Sequence, residues 1–322
     1  MLTKKKSVWI TWHYATRSRN LAEYLNLNLF EYFENKSLLK RHLFSSLWTF
    51  KVLLQNRPKI IFIQLSFLLL IIIVFYKMLF WGKVKIIADC HTKALRRKAT
   101  GKLNSVFWPI KKITFSLVDL AIISNVGLKN EIEELNKNYI ILPDKIPEEV
   151  IKNSTNSNEQ YCVYVSSFAV DEPFEEIFEV AKLLPKDFKI YWTGKRPENL
   201  QLPVNVPENL IFTGYVSFEE YFSLIGNASC ILGLTTEDDC LQSGAYEALN
   251  VEVPMVITDS KALRNYFSDS AIYTNHFPQN IANKILEAVE KSEELKLNIK
   301  QVKELRNTEF QQKIRDIYNY IS

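Results

Sequence analysis

The chain has 322 residues, 47% apolar and 24% charged, with 8 Gly, 11 Pro and no short repeat or low-complexity tract. These figures exclude collagen-like, disordered and solenoid classes and suit two domains with ordinary cores. The net charge of +4 hides an asymmetry: residues 1–145 hold 24 Lys and Arg against 9 Asp and Glu, a net of +15, and the remainder 16 against 27, a net of −11. A first half this basic is expected to face an anionic surface, either nucleic acid or a leaflet of anionic lipid.

In chain order, Ser7–Trp12 is predicted as a buried strand, Ser18–Asn26 as a helix, Leu29–Phe33 as a strand and Ser37–Gln55 as a long amphipathic helix. Lys59–Leu65 is a β-branched strand, followed by an apolar run, Ser66–Trp81. Ile60–Tyr76 has 17 uncharged residues, close to membrane-spanning length. It divides into a strand ending near Gln64 and a following helix, as expected where helices cover both faces of a sheet. A true span and a helix lying in a membrane interface are the alternatives. Lys83–Ala88 and Leu120–Ser124 are further strands.

Between those strands, Lys93, Arg96, Arg97, Lys98, Lys102, Lys111 and Lys112 interleave with aliphatic and aromatic residues, and no acid intervenes. Arg96, Arg97, Lys98, Lys102 and Trp108 are expected to dock on anionic lipid. A solvated basic helix and a polyanion site are the alternatives.

Leu142-Pro-Asp-Lys-Ile-Pro147 breaks the pattern, which then restarts. Tyr161–Val165, Phe188–Trp192, Leu210–Phe212, Cys230–Leu234, Val253–Ile257 and Ala271–Tyr273 are predicted strands. Glu172–Leu184, Phe218–Leu224, Ser243–Leu249 and Gln279–Lys291 are predicted helices, and Glu293–Ser322 is helical by periodicity. Strands alternating with helices imply parallel pairing. The expected fold is α/β, with two Rossmann-like, doubly wound domains facing each other across a cleft. Residues 1–145 form the acceptor- or membrane-side domain and 146–305 the ligand-binding domain, with 306–322 returning to the first.

Cys90, Cys162, Cys230 and Cys240 include no C-x-x-C spacing and are read as reduced packing residues. The amino terminus has only about six consecutive apolar residues before His13 and Arg17, too few for a signal peptide. A cytoplasmic protein, peripheral on the inner face of the membrane, is expected.

The strongest local signal is the run Cys230–Leu249, where a buried strand leads into Glu237, Asp238 and Asp239 and a helix opens near Ser243. Backbone N–H groups at Gln242, Ser243 and Gly244 suit a phosphate or sugar hydroxyl. Glu247, one turn in, can accept two hydrogen bonds from a vicinal diol. The acids could equally cap the helix. In the first half, His91 ends a buried strand and His13 closes another, beside Tyr14 and Arg17.

Asp239, seven residues, then Glu247 and Val253-Pro-Met-Val-Ile-Thr258 resemble the donor-binding motif of retaining GT-B glycosyltransferases of the glycosyltransferase 4 type. Leu210–Tyr221 is similar to the strand, Gly and helix preceding that motif, and Tyr191-Trp-Thr-Gly-Lys195 to the turn lining the phosphate site. The resemblance implies that Asp239, or Glu237 out of register, contacts the transferred sugar and that Glu247 holds the ribose. It also places His91 near the reaction centre. The family's basic pair after the first strand of this half is missing from Ser166–Pro173, so Lys195 is taken to neutralise the diphosphate. His13, Tyr14 and Arg17 are assigned to the acceptor.

The implied activity is transfer of a hexose-like sugar from a nucleotide-diphosphate sugar to a saccharide or lipid-linked saccharide acceptor, in glycan or polysaccharide biosynthesis. Retention, no metal, no cofactor and no nucleic-acid partner are expected. A nucleotide-sugar epimerase and an inactive partner subunit are the alternatives.

Overall fold

The computed structural model describes residues 6–35, 37–80, 83–91, 95, 109–135, 138–147, 159–198, 200, 202–238 and 240–321. Their contacts divide the chain into one unit of residues 1–145 with 309–322 and a second of 146–308.

The first unit is a parallel sheet in the order β2-β1-β3-β4-β5-β6. Its strands are β1 (Ser7–Thr11), β2 (Asn28–Glu31), β3 (Ile60–Gln64), β4 (Lys85–Cys90), β5 (Leu120–Ile123) and β6 (Tyr139–Ile141). The helices are α1 (Thr16–Tyr24), α2 (Leu38–Asn56), α3 (Phe67–Leu79), α4 (residues 109–115) and α5 (Lys129–Glu134). Both sheet faces are covered, so successive strand residues enter opposite cores. Ile10, Ile61, Ile63 and Ile86 pack with α2, α3 and Phe115 of α4. Trp9, Phe62, Ile87 and Ile122 pack with α1 and with Phe310, Ile314, Ile317 and Ile321. The apolar run after β3 is a buried-faced helix of 13 residues. No helix among the described residues is long and apolar enough to cross a membrane.

The second unit is a parallel sheet in the order β12-β11-β10-β7-β8-β9. It comprises β7 (Tyr161–Tyr164), β8 (Lys189–Thr193), β9 (Leu210–Gly214), β10 (Cys230–Gly233), β11 (Met255–Thr258) and β12 (Ile272–Thr274). On one face lie α6 (Phe174–Leu183) and α10 (Pro278–Glu290). On the other lie α7 (Phe218–Gly226), α8 (Ser243–Val251) and α9 (Lys261–Phe267). Trp192 of β8 is fully buried and packs at 5.3 Å from Phe168 and 5.2 Å from Phe212. None of the four cysteines is disulfide-bonded, and Cys162 and Cys230 sit in register on β7 and β10.

The last helix, α11 (Ser292–Ile321), is 30 residues long. Leu295, Ile299 and Val302 pack in the second unit, where Arg306 Nε donates to Tyr266 O at 2.7 Å. From Glu309 onward its contacts are with the first unit, where the Tyr318 hydroxyl donates to Tyr24 O at 2.9 Å.

Candidate active site

In the second sheet the strand order reverses between β7 and β10. Loops leaving the carboxyl ends of two such strands diverge, and ligands bind in the crevice between them. Here the two loops are tied together. Thr235 Oγ1 donates to Asp171 Oδ2 at 2.8 Å, and the Thr236 N–H donates to Asp171 O at 2.7 Å. The turn after β7 is itself clamped by Glu172, which accepts from Ser166 Oγ and from the Ser167 N–H and Oγ. Phe168 takes a left-handed φ of 57° in this turn and stacks on Trp192.

Beside this crevice an open pocket of about 320 Å³ is lined by Ser166, Thr193, Gly194, Gly214, Tyr215 and Tyr221, among others. Gly194 has φ +98°, and a Cβ there would lie 2.3 Å from Ser166 O. Only glycine lets these two turns approach so closely. Lys195 follows it and is exposed, while the Arg196 guanidinium lies 5.4 Å from the Phe212 ring centroid.

Glu247 lies on α8, and the hydroxyl of the pocket residue Tyr221 donates to its Oε2. Burial raises the Glu247 pKa, and the Tyr221 hydrogen bond opposes it by less. The Tyr221 hydroxyl is raised by its own burial and by the Glu247 charge.

α8 begins after Gln242, whose backbone is extended at φ −84°, ψ 142°. Gln242 Nε2 donates to Leu234 O at 2.5 Å, while its buried Oε1 has no protein partner. Gly244 lets the helix start lie against β7, since a Cβ there would meet Val165 Cβ at 2.8 Å. Ser243 is exposed. First-turn N–H groups have no acceptor within the helix, so this end can bind an anion. Gln242, Ser243, Gly244 and Glu247 therefore gather on one helix end. Asp239 lies outside the described residues.

In the first unit, the buried Arg17 guanidinium forks onto Asp89, with Nη2 to Oδ1 at 2.8 Å. It also donates to Asp144 Oδ1 and to Leu142 O, both at 2.8 Å. Burial would raise the Asp89 pKa, but the Arg17 charge prevails and holds it well below the usual carboxylate range. An acceptor contact by Arg17 thus meets a guanidinium already committed to joining α1, β4 and the 142–144 segment. His91 Nε2 is 3.4 Å from Asp89 Oδ2, too long for a good hydrogen bond, and 37% of its side chain is exposed. Burial lowers the His91 pKa, but the Asp89 carboxylate outweighs this and the net shift is upward.

His13 and Tyr14 are exposed beyond β1, and the Tyr14 ring lies 6.0 Å from Phe33. Desolvation and the Arg41 charge lower the His13 pKa. Arg96, Arg97, Lys98, Lys102 and Trp108 lie outside the described residues.

Sequence reasoning did not single out Tyr221, Tyr215 or Asp89 as site residues. Tyr221 lies on the segment Leu210–Tyr221, but its link to Glu247 spans 26 positions. The Arg17–Asp89 pair spans 72 positions, with no local pattern to reveal it.

No protein-family model and no curated protein matches the chain. Solved structures match it over nearly its whole length. Anabaena HepE in complex with UDP gives a TM-score of 0.76 at 10% identity, covering 98% of this chain and 99% of that one. The lipopolysaccharide outer core galactosyltransferase WaaB, in its apo form, gives 0.67 at 12%, covering 98% and 99%. A protein assigned as a UDP-N-acetylglucosamine 2-epimerase from Listeria monocytogenes gives 0.60 at 10%, covering 93% and 91%. At these identities the likeness is one of fold: the chain shares with these proteins an architecture of two Rossmann-like α/β units.

Proposed function

We propose that the chain transfers a sugar from a nucleotide-diphosphate sugar to a saccharide acceptor. The observation that carries this is the half-buried Glu247 on α8, held by Tyr221, a lining residue of the 320 Å³ pocket beside the strand-order reversal. A half-buried carboxylate suits a ribose diol, and an adjoining helix start suits a diphosphate. The UDP bound by HepE and the galactosyl transfer named for WaaB support this reading.

In the proposal, Glu247 accepts from the ribose, and the first-turn amides of α8 with Lys195 stabilise the leaving diphosphate. Asp239 contacts the transferred sugar, and His91 serves the reacting sugar. His13 and Tyr14 meet the acceptor, with Arg17 and Asp89 fixing the neighbouring strand ends. Positioning and charge stabilisation of the leaving group supply most of the rate. Retention without a metal, membership of the glycosyltransferase 4 family and a lipid-linked acceptor in polysaccharide assembly belong to the same proposal. So does binding on the inner face of the membrane, aided by Lys93–Lys112.

Calorimetric titration with a panel of nucleotide diphosphates tests it, together with product analysis using the matching sugar donors. Glu247→Ala should weaken nucleotide binding by about 1.5–3 kcal/mol for each charge-assisted hydrogen bond lost. Unchanged affinity in a folded variant removes Glu247 from the site. The Listeria neighbour gives the epimerase reading its support. Conversion of the donor to a free sugar, with no transfer to any glycan, would favour that reading. Failure of every nucleotide to bind would favour an inactive partner subunit.

A further inference from the structure

A surface helix ordinarily turns its apolar stripe inward. α2 does so only in part. Its buried positions are Ser45, Thr49, Val52 and Leu53. The inward Thr49 hydroxyl is provided for: Trp12 Nε1 donates to it at 2.9 Å, and it donates to Ser45 O at 2.8 Å. Outward, at helical spacing, stand Leu39, Leu43, Leu47 and Leu54, with exposures of 83%, 58%, 58% and 60%.

The apolar surface continues onto the neighbouring helix. α3 packs on α2 through Phe50 and Phe75, whose rings lie 6.2 Å apart edge to face. Its last turn exposes Met78 and Leu79. Nothing in the first unit's core requires these side chains to be apolar. Exposed apolar side chains gathered on two packed helices mark an interaction surface.

The charge pattern selects the partner. Residues 37–80, which carry both helices, contain six Lys and Arg and no acid. Lys40 and Lys51 are exposed on α2 and flank the leucine stripe, at i−3 from Leu43 and i+4 from Leu47. A second copy of this face would bring like charge against like. Apolar side chains bordered by bases, on a helix too polar to span a bilayer, have the chemistry of an interfacial helix.

We propose that the outer face of α2, with the end of α3, is an insertion surface for a bilayer rich in anionic lipid. This is independent of the Lys93–Lys112 segment and of the donor site. The leucines enter the headgroup–acyl boundary, and Lys40, Arg41 and Lys51 meet the lipid phosphates.

Flotation of the full chain tests this with vesicles of phosphatidylcholine alone and with about 30 mol% phosphatidylglycerol. The wild type should float only with the anionic vesicles. Leu39→Gln/Leu43→Gln/Leu47→Gln retains helix propensity. It should lower the bound fraction at least about tenfold, with circular dichroism and nucleotide affinity unchanged. Lys40→Gln/Lys51→Gln should weaken binding at about 0.15 M salt and matter little at high salt.

A wild type that ignores the anionic vesicles overturns the proposal, as does a triple variant that floats equally well. A wild-type dimer that the leucine variant dissociates, with neither form binding lipid, assigns the face to a second copy instead. Nucleotide titration of the same samples separates this outcome from failure of the transferase reading.

Discussion

Burial pushes the Glu247 carboxyl pKa up, and the Tyr221 hydroxyl lowers it by less. A carboxyl whose folded pKa exceeds its unfolded value, about 4.3, favours the protonated folded state. Its contribution to stability is full below the unfolded value and is lost as pH rises through the folded one. Near neutral pH the ionised group therefore opposes folding, although the proposed ribose contact needs that ionised form. Glu247→Gln keeps an acceptor for Tyr221 and removes the charge. It should raise the Tm of the nucleotide-free protein at neutral pH while weakening nucleotide binding. Wild-type affinity should rise with pH through the Glu247 titration, and the Gln variant should lose that rise. Thermal melts and titrations at acidic and neutral pH read both effects.

His91 has the same sign for a different reason: the Asp89 carboxylate favours its protonated form. Its stabilising contribution is complete below the unfolded pKa, about 6.5, and is lost as pH rises through the raised folded value. The side chain is partly exposed, and Asp89 keeps its stronger partner Arg17. His91→Ala should therefore lower turnover far more than Tm. A variant that turns over normally would leave His91 outside the chemistry.

At the scale of elements, the site depends on how closely the turns after β7 and β8 approach each other. Gly194→Ala would combine a left-handed φ with a Cβ 2.3 Å from Ser166 O. Ser166 is held by Glu172, so relief requires moving the whole 166–168 turn with Phe168 on Trp192. The expected loss is about 1–3 kcal/mol of stability, with a parallel fall in nucleotide affinity, measured by denaturant unfolding and calorimetry. Unchanged stability would mean that the turn yields freely.

These turns also indicate what the sequence can reveal. The strand–turn–helix alternation and Gly194 after β8 are local, so periodicity and turn chemistry locate them. β6, with three residues on the sheet edge, and α9, a seven-residue helix capped by Ser260 Oγ without an acidic N3, carry too little pattern to be read. The Ser66–Trp81 run was legible as a buried helix because β3 supplies its partner sheet. The amphipathic character of α2 was legible too. Its outward leucine stripe was not, because periodicity locates a stripe without saying which side meets the core. Tyr221 with Glu247, and Arg17 with Asp89, are set by tertiary packing across distant positions and leave no local trace.

At the scale of the molecule, the two units carry opposite charge and separate cores, yet one helix serves both. α11 contributes Leu295 and Ile299 to the second core and Phe310, Ile314, Ile317 and Ile321 to the first. The four carboxy-terminal side chains are all nearly or fully buried, against sheet residues that include Phe62 and Ile87. Removing residues 309–322 would expose that face and take the Tyr318 bond from Tyr24 O and the Tyr320 bond from Asp119 O. Losing even one large core side chain typically costs about 2–5 kcal/mol, so losing four should leave the first unit unable to fold stably. The second unit retains Lys303 on Asn250 O and Arg306 on Tyr266 O, and its sheet loses no side chain. Calorimetry of a chain ending at Thr308 should accordingly lose the transition of the first unit and keep that of the second, a departure from two-state melting. Nucleotide affinity should survive in the truncated chain because Glu247, Tyr221 and the α8 start all belong to the surviving unit. A truncated chain with a wild-type melt would show that α11 is an accessory to the first core. Loss of nucleotide binding with the second transition intact would mean that residues of the first unit complete the donor site.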